Sequence, residues 1–363
     1  MATLIIHLGP GKCGSSTIQQ FFATHQKPCV QKTLYKPLNH LDIDALNVEQ
    51  PDAAILATFT QQLSSDLPAC DALILSHEYL FQSPYAIKNL CVLAKKLATK
   101  IFIIGYSRRQ SEFLVSAYSQ WLFRAPKRIN EATDTVKELE LEPVLFTGLE
   151  RQVIASIAND FHSARQLSGR SILDWYKSYD KISQLTGDSA TIRCGTLPKK
   201  ESDNPLIYDF CTKSELTLDY KTKDALQLTS NVSYDKGVIE AVNIAAGRGF
   251  NVPGPHEGNW ILELLSSNIA PVSKDPSKFL SKLKSYVDSY YLESNTKLCQ
   301  RYKLSEEYFA PATRYSKSEI KDVIFDEAKQ RSLNKSEIIG EYQMLSAKMV
   351  ELCLKMAASK TKG

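Results

Sequence analysis

The sequence predicts an α/β fold in which helices cover both faces of a central parallel sheet, giving a three-layer sandwich. Along the first half of the chain, short apolar runs rich in branched residues alternate with longer segments of helical periodicity. Such runs are typical of parallel strands that are buried on both faces. The first three runs end in glycine or in polar residues, and ligands of open α/β sheets bind at these strand ends.

Four strands are predicted, over Thr3–Leu8, Ala72–Leu75, Ile101–Gly105 and Ala190–Arg193. The spacing of apolar residues predicts helices over Ser15–His25, from about Ile87 to Ala98 and around Ile172–Leu185. A further helix is predicted after the third strand, with inward residues Phe113, Leu114, Ala117, Trp121 and Leu122. From Ser214 onward the chain is predicted to be mainly helical.

The 363 residues are 43% hydrophobic and 23% charged, which is enough apolar material for one large domain with an extension. We predict a main domain over residues 1–310 and a helical C-terminal extension over residues 311–363. The polar region Arg124–Gln166 is predicted to form helices and loops that cover the site.

Charge and composition exclude several classes of protein. The formal net charge of +4 is too small to indicate a nucleic-acid partner. No apolar run approaches the ~20 residues of a membrane span, and no secretory signal precedes the first strand, so we expect a cytoplasmic protein. The eight cysteines form no Cys-x-x-Cys pair and no zinc spacing. We therefore expect reduced, mostly buried thiols and no metal site.

The stretch HLGPGKCGSST, residues His7–Thr17, joins the first strand to the first helix. A glycine-rich turn at a helix N-terminus presents backbone N–H groups to an anion. Ser15, Ser16 and Thr17 add hydroxyl donors, and Lys12 adds a mobile positive charge. These features predict a phosphate-binding loop and therefore a P-loop-like fold. The alternative is an ordinary strand–helix turn whose glycines and serines bind nothing.

The loop departs from the nucleotide triphosphate version, Gly-x-x-x-x-Gly-Lys-Ser/Thr. When its lysine is aligned with Lys12, Ile6 stands at the first glycine and Cys13 at the hydroxyl that binds Mg²⁺. The sequence therefore predicts a phosphate loop without a magnesium ligand.

The segment GKCGSST resembles the 5′-phosphosulfate loop of sulfotransferases, which is usually of the type Lys-Ser-Gly-Thr-Thr. Lys12, Gly14, Ser15 and Ser16 match it, and Cys13 departs at a small-residue position. The donor of that family is 3′-phosphoadenylyl sulfate (PAPS), its product is 3′-phosphoadenosine 5′-phosphate (PAP), and no metal is required. The resemblance implies a donor loop made of Gly11, Lys12, Cys13, Gly14, Ser15, Ser16 and Thr17.

The family has a second donor motif, an arginine followed eight residues later by a serine, which hold the 3′-phosphate. The segment IFIIGYSRRQSEFLVSAYSQ supplies Arg108 and Ser116 at that spacing. A guanidinium binds phosphate through two parallel hydrogen bonds, which suits this role. Arg109 is a less favoured substitute for Arg108.

Between these motifs, LILSHEYLFQSPYAIKNL resembles the glutamate segment of glycan sulfotransferases, heparan sulfate enzymes among them. The resemblance implies that Glu78 is the general base toward the acceptor. Those enzymes often have Glu-Lys-Ser/Thr-Pro where this chain has EYLFQSP, so their second lysine is missing. His77 is an alternative base, because many small-molecule sulfotransferases use histidine. Glu78 as a mere ion-pair partner of Lys12 is a further alternative.

Two later segments extend the resemblance, to bacterial sulfotransferases of the glycan type, over most of residues 1–310. They are ATIRCGTLPKK, with Arg193, and SYYLESNTKLCQRY, with Asn295 and Arg301. The resemblance implies transfer of a sulfuryl group from PAPS to a hydroxyl or amine of a carbohydrate. Two alternatives stay open, namely a P-loop kinase that uses ATP and a non-catalytic nucleotide-binding module.

Overall fold

The computed structural model describes residues 2–25, 29–120, 122–161, 173–198, 206–219, 236–249 and 277–346. The chain divides into two compact units. The first unit comprises Met1–Arg109, Ile172–Asn231 and Leu292–Phe309, and the second comprises Gln110–Ser171, Val232–Tyr291 and Ala310–Gly363.

The described residues of the first unit contain a parallel sheet, as the sequence predicts, but with five strands where four are predicted. Its strands are β1 (Thr3–Leu8), β2 (Thr33–Pro37), β3 (Ala72–His77), β4 (Lys100–Ser107) and β5 (Thr191–Thr196). Their order across the sheet is β2-β3-β1-β4-β5, and every pairing is parallel. The central strand β1 is strongly apolar, and its residues Leu4, Ile5, Ile6 and Leu8 are fully buried.

The edge strand β2 was not predicted. All five of its residues are at least partly exposed, and it contains Lys36 and Pro37. An edge strand needs no continuous apolar run, and charges and proline protect its free side. The apolar pattern that identifies β1, β3 and β4 is therefore missing from β2.

The α-helices in chain order are α1 (Ser15–Thr24), α2 (His40–Leu46), α3 (Ala53–Asp66), α4 (Pro84–Ala94), α5 (Gln110–Tyr118), α6 (Pro126–Glu138), α7 (Gly148–Ala158), α8 (Trp175–Thr186), α9 (Leu206–Lys213), α10 (Lys236–Gly247), α11 (Lys278–Tyr290), α12 (Leu292–Tyr302) and α13 (Lys317–Leu333). Residues 335–346 are also helical. Short 3₁₀ turns lie at Leu67–Ala69, Glu78–Gln82, Leu122–Arg124, Pro143–Leu145, Gly187–Ser189 and Glu306–Tyr308.

The helices agree with the predicted apolar stripes and differ at their ends. In α1, the predicted inward residues Ile18, Phe21 and Phe22 are buried. Helix α4 begins and ends earlier than predicted. Pro84 occupies its first turn, where a missing N–H costs nothing, so proline starts this helix.

In the second unit, Phe113 and Ala117 of α5 are buried as predicted. Leu114 is only half-buried, and Leu122 lies in a 3₁₀ turn. Trp121 lies outside the described residues, as does Ile172 at the predicted start of α8.

The predicted C-terminal extension, residues 311–363, belongs to the second compact unit. Its helix α13 buries Ile320, Ile324 and Ala328, and Arg331 binds the buried carboxylate of Glu150 at 2.8 Å. The predicted boundary near residue 310 coincides with one of several boundaries between the units. That residues 1–310 form one functional domain stays a prediction.

Seven cysteines lie in the described residues, and all seven are free thiols. Six of them are buried and Cys70 is half-buried, which confirms the expected state of these thiols. Within the described part of the chain, no helix is long and apolar enough to cross a membrane.

Candidate functional site

Three polar segments follow neighbouring strands of the sheet at the same edge. In the parallel register, Leu8 at the end of β1 lies beside His77 of β3 and Gly105 of β4. The opening loop, Glu78 and Arg108 come directly after these positions in the chain. The expected convergence of the three segments at the carboxyl edge is therefore confirmed.

The backbone of the opening loop adopts two left-handed conformations, at Lys12 with φ 67° and at Gly14 with φ 87°. A Cβ on Gly14 would lie 2.3 Å from Cδ2 of Leu206, and a Cβ on Gly9 would lie 2.4 Å from Cβ of Ser15. These two glycines are therefore required by close packing. A left-handed lysine costs of order 1–2 kcal/mol, and such strain concentrates at ligand-binding sites.

Helix α1 begins without a side-chain cap among the described residues, and Gly14 occupies the N-cap position. The hydroxyl of Ser15 is buried and donates to Oε1 of Glu78 at 2.5 Å. Ser16 is exposed, and Thr17 is half-buried. The first N–H groups of a helix have no intrahelical acceptor, so this end retains the anion-binding character of a helix N-terminus.

Glu78 is held against the loop by the 3₁₀ turn that follows β3. Its Oε1 accepts the Ser15 hydroxyl. Its Oε2 lies 3.2 Å from the position that a Cβ on Gly11 would occupy. The residue is half-buried, so its carboxylate lies at the loop without being sealed from solvent.

Lys12 and Arg108 place positive charge at the same loop. Burial lowers the pKa of Lys12, the Glu78 charge raises it, and the Arg108 charge lowers it again. Arg108 donates through Nη1 to the carbonyl oxygen of Lys12 at 3.4 Å, and its own carbonyl accepts from Nε1 of Trp175 at 2.7 Å. The structure thus brings together Lys12, Glu78 and Arg108, which the sequence picks out in three separate segments.

Cys13 is part of the loop, and it is buried, with only 2% of its surface exposed. Burial raises the pKa of its thiol, although the nearby Arg108 opposes the rise. Where the aligned nucleotide triphosphate loop has a hydroxyl for Mg²⁺, this loop therefore has an enclosed, protonated thiol.

The two neighbouring arginines have different surroundings. The guanidinium of Arg109 donates through Nε and Nη2 to the carbonyl oxygen of Tyr308, at 3.1 and 3.0 Å. Arg109 therefore tethers the 3₁₀ turn at Glu306–Tyr308, whereas Arg108 lies at the loop. Ser116 lies in α5 and belongs to the second unit. The pairing of Ser116 with Arg108 stays a prediction from the sequence spacing.

His77 caps the turn that carries Glu78. Its Nδ1 accepts the backbone N–H of Tyr79 at 3.0 Å. A neutral ring with an accepting Nδ1 carries its proton on Nε2, so the outer nitrogen is a donor. Burial and the charge of His40 lower the pKa of His77, and Glu78 opposes them. This tautomer disfavours His77 as a base, because Nε2 has no lone pair free.

Beneath the loop lies a buried polar contact that sequence reasoning missed. Nδ1 of His7 lies 2.8 Å from Oγ of Ser76, which also accepts from Nε2 of Gln19 at 3.1 Å. Burial lowers the pKa of His7 to about 3, so the ring is neutral. It packs edge-on against Phe210 of α9. His7 therefore supports the loop and carries no charge to a ligand.

A second group missed in the sequence lies on α2, at the same edge of the sheet. Nδ1 of His40 is 3.0 Å from Oδ2 of Asp44, one turn along the helix. The His40 ring stacks on Tyr79 with centroids 4.2 Å apart, and its centroid is 6.3 Å from that of His77. The only sequence signal is a histidine and an aspartate four residues apart in HLDIDAL.

The residues of the two later segments that resemble sulfotransferases lie in structural surroundings. Arg193 stacks on the ring of Phe102 at 4.0 Å, and Arg301 binds Asp180 at 2.6 Å. Asn295 is 1% exposed within α12. Phe102 and Asp180 lie outside the loop, so these contacts of Arg193 and Arg301 do not involve Lys12 or Glu78.

Comparisons of the chain with known protein families, with curated proteins and with solved structures gave no match. The function must therefore be inferred from the residues of the site and from the resemblance of its motifs.

Proposed function

We propose that this protein is a sulfotransferase that moves a sulfuryl group from PAPS to a hydroxyl or amine of a carbohydrate. One observation supports the proposal most. Lys12, Arg108 and an uncapped helix N-terminus surround one loop, in which a buried thiol, Cys13, replaces the magnesium-binding hydroxyl. A phosphosulfate donor needs positive charge and N–H donors but no metal, and this loop supplies that combination.

In this proposal the loop residues Gly11–Thr17 bind the 5′-phosphosulfate. Ser16 is exposed at the open end of α1, so its hydroxyl is available to the donor. Arg108 holds the 3′-phosphate. Binding energy at that remote group fixes the position of the reacting sulfur relative to Lys12.

The reaction is an in-line displacement at sulfur, by analogy with phosphoryl transfer. The acceptor oxygen or nitrogen forms a bond to sulfur as the bond between sulfur and the phosphate oxygen breaks. The acceptor proton passes to Glu78, and PAP leaves with the electron pair of the broken bond. Lys12 and the loop N–H groups stabilise the negative charge that develops on the phosphate.

Glu78 is the better candidate base. Its Oε1 already accepts the Ser15 hydroxyl, so Oε2 is the atom that takes the acceptor proton. The outer nitrogen of His77, Nε2, carries a proton. His77 could act as a base there only if that proton left or moved to Nδ1, and a proton on Nδ1 would break the hydrogen bond from the Tyr79 N–H. The contact between Glu78 and Ser15 also supports the alternative in which Glu78 only organises the loop.

A thermal-shift measurement tests the choice of donor. PAP without metal is expected to raise the melting temperature, because a ligand at ~100 times its Kd stabilises the folded state by about 2.7 kcal/mol. ATP with Mg²⁺ is expected to give a much smaller rise. The control is Lys297→Ala, which removes an exposed cation on α12 in the same unit. A larger shift with ATP–Mg²⁺ would favour the kinase alternative and contradict the proposal.

Transfer itself is tested with ³⁵S-labelled PAPS and unsulfated heparosan, chondroitin and chitin oligosaccharides. The expected result is label on at least one oligosaccharide, without added metal. Binding of PAP with no transfer to any of them would indicate the non-catalytic nucleotide-binding module.

A further inference from the structure

His40, Asp44 and Tyr79 form an organised cluster beside the proposed base. The carboxylate of Asp44 lies 3.0 Å from Nδ1 of His40, and its charge adds to burial in raising the pKa of the Tyr79 hydroxyl. The rings of His40 and Tyr79 are stacked with an interplanar angle of 23°. Carboxylate and stacking together hold the His40 ring in one orientation, although its side chain is 57% exposed.

The carboxylate fixes the tautomer of His40. A neutral ring beside a carboxylate places its proton on the nitrogen that faces the carboxylate, here Nδ1. The lone pair of Nε2 is then free to accept a hydrogen bond. His77 has the opposite tautomer, because its Nδ1 accepts the N–H of Tyr79 and its Nε2 carries the proton. The two rings thus present one acceptor and one donor.

Both neighbours of Glu78 in the chain contact His40. Tyr79 stacks on the His40 ring at 4.2 Å, and the centroid of His77 lies 6.3 Å from it. The carboxylate of Glu78 lies at the loop, where it bonds to Ser15. Both rings therefore lie at the segment 77–79, which carries the residue that would receive the acceptor proton.

We propose that His40 is an acceptor-binding residue, and that it and His77 together select a substrate with neighbouring hydroxyl groups. This inference depends on the proposed sulfotransferase function. A hydroxyl both donates and accepts, so two adjacent hydroxyls of a sugar ring satisfy Nε2 of His40 and Nε2–H of His77. A lone amine in its protonated form has donors only, so it offers no acceptor for the His77 proton and fits this pair less well.

The experiment measures KM and kcat for whichever oligosaccharide of heparosan, chondroitin or chitin the wild type sulfates fastest. His40→Ala is expected to raise KM by about 10-fold and to change kcat by less than about threefold, as for one lost hydrogen bond. His40→Gln, whose amide oxygen can accept, restores part of the loss. Asp44→Asn raises KM with the ring still present, because the tautomer is no longer fixed. Lys297→Ala, which removes an exposed i,i+4 pair elsewhere in the unit, leaves both parameters unchanged.

Nitrogen-15 NMR of the two rings at neutral pH gives a readout that does not depend on activity. The expected result is a protonated Nδ1 in His40 and a protonated Nε2 in His77. This inference is overturned if neutral His40 carries its proton on Nε2. It is also overturned if His40→Ala still responds to PAP and has an unchanged KM. Either result leaves the sulfotransferase proposal intact. If the wild type neither responds to PAP nor transfers sulfate, the sulfotransferase proposal and this inference are both overturned. If it binds PAP but sulfates no oligosaccharide, the proposed acceptor and this inference are overturned.

Discussion

The two compact units each place a glutamate at the N-terminal end of a helix, and the two glutamates differ in what surrounds them. In the first unit, Glu78 accepts from Ser15 at the start of α1. In the second, both carboxylate oxygens of Glu240 accept from the N–H of Gly148 at 3.0 Å, at the start of α7. A carboxylate is stabilised at such a position by the helix dipole and by the N–H donors.

In the second unit, Glu240 is enclosed by residues that interact with its carboxylate. Arg151 and Tyr342 both interact with Glu240, whose side chain is only 14% exposed. The cap of α7 is also complete, because Thr147 and Glu150 form a capping box. A Cβ on Gly148 would lie 2.0 Å from the hydroxyl of Tyr118, so a larger residue does not fit.

In the first unit, the helix end beside Glu78 is not enclosed in the same way. Helix α1 lacks a side-chain cap among the described residues, Ser16 beside it is exposed, and Lys12 is held in a strained conformation. The comparison teaches that the same local geometry stabilises the fold where partners enclose it and forms a candidate ligand site where they do not.

The largest expected effect is on catalysis by Glu78→Gln. Glutamine keeps an oxygen for the Ser15 hydroxyl but cannot take a proton, so turnover should fall by about 10²–10⁴-fold. In the proposed function the base faces the acceptor, so the stabilisation by PAP should remain near that of the wild type. Steady-state rates with labelled PAPS and thermal shifts with PAP measure the two effects.

His77→Asn is the matched variant, because asparagine keeps a side-chain acceptor for the N–H of Tyr79. An active Glu78→Gln beside an inactive His77→Asn would identify His77 as the base. If Glu78→Gln loses donor affinity in step with its rate, Glu78 resembles Glu240 in role, and the contrast between the two units fails.

The next effect concerns donor affinity. In the proposed function, Arg108→Ala removes charge-assisted bonds to the donor and should cost roughly 1.5–3 kcal/mol, or about 10- to 150-fold in the Kd for PAP. Adenosine 5′-phosphosulfate, which lacks the 3′-phosphate, should lose much less affinity. Calorimetric titration of both ligands checks this.

Arg109→Ala serves as the control for Arg108, because its guanidinium is engaged by the Tyr308 carbonyl. We expect lower thermal stability and an unchanged affinity for PAP. Equal losses for both ligands in Arg108→Ala would mean that Arg108 supports the loop without contacting the 3′-phosphate.

The smallest effect is on stability, through Glu240. Burial raises the pKa of its carboxyl above the usual 4.5, although Arg151 opposes the shift. The folded state then holds the proton more tightly than the unfolded chain does. The resulting stability is present below pH 4.5 and is lost as the pH rises through the folded pKa.

Glu240→Gln removes this titration, so its melting temperature should decline less than that of the wild type between pH 4 and pH 8 in a buffer series. Sulfate transfer should be unaffected. A variant whose melting temperature follows the wild-type curve in parallel would show that Glu240 contributes nothing to the pH dependence.

The sequence was sufficient for those parts of the fold that follow from apolar runs. Strands β1, β3, β4 and β5 lie where branched runs predict them, and so does the edge at which the opening loop meets Glu78 and Arg108. Strand β2 escaped prediction because its sequence, TLYKP, contains no such run. These elements are governed by local pattern, which a single sequence shows directly.

The finer chemistry of the site depends on contacts that no local pattern shows. The tautomer of His77 follows from one backbone N–H, and that of His40 follows from Asp44. Arg108 and Arg109 are adjacent in the sequence, yet only the fold shows that one lies at Lys12 and the other at Tyr308. The division into two units is likewise set by long-range packing.

Cys13 makes the opening of the loop chemically measurable. A reagent that alkylates thiolates cannot reach a sulfur that is buried and protonated, so modification waits for moments when the loop lifts away from α9 and β5. The rate at which the Cys13 peptide becomes labelled, followed by mass spectrometry, would then report how often the loop opens. A ligand that closes the loop should slow the labelling, whereas one bound elsewhere should not. The buried thiol of Cys13 thus provides a probe for the opening of the loop.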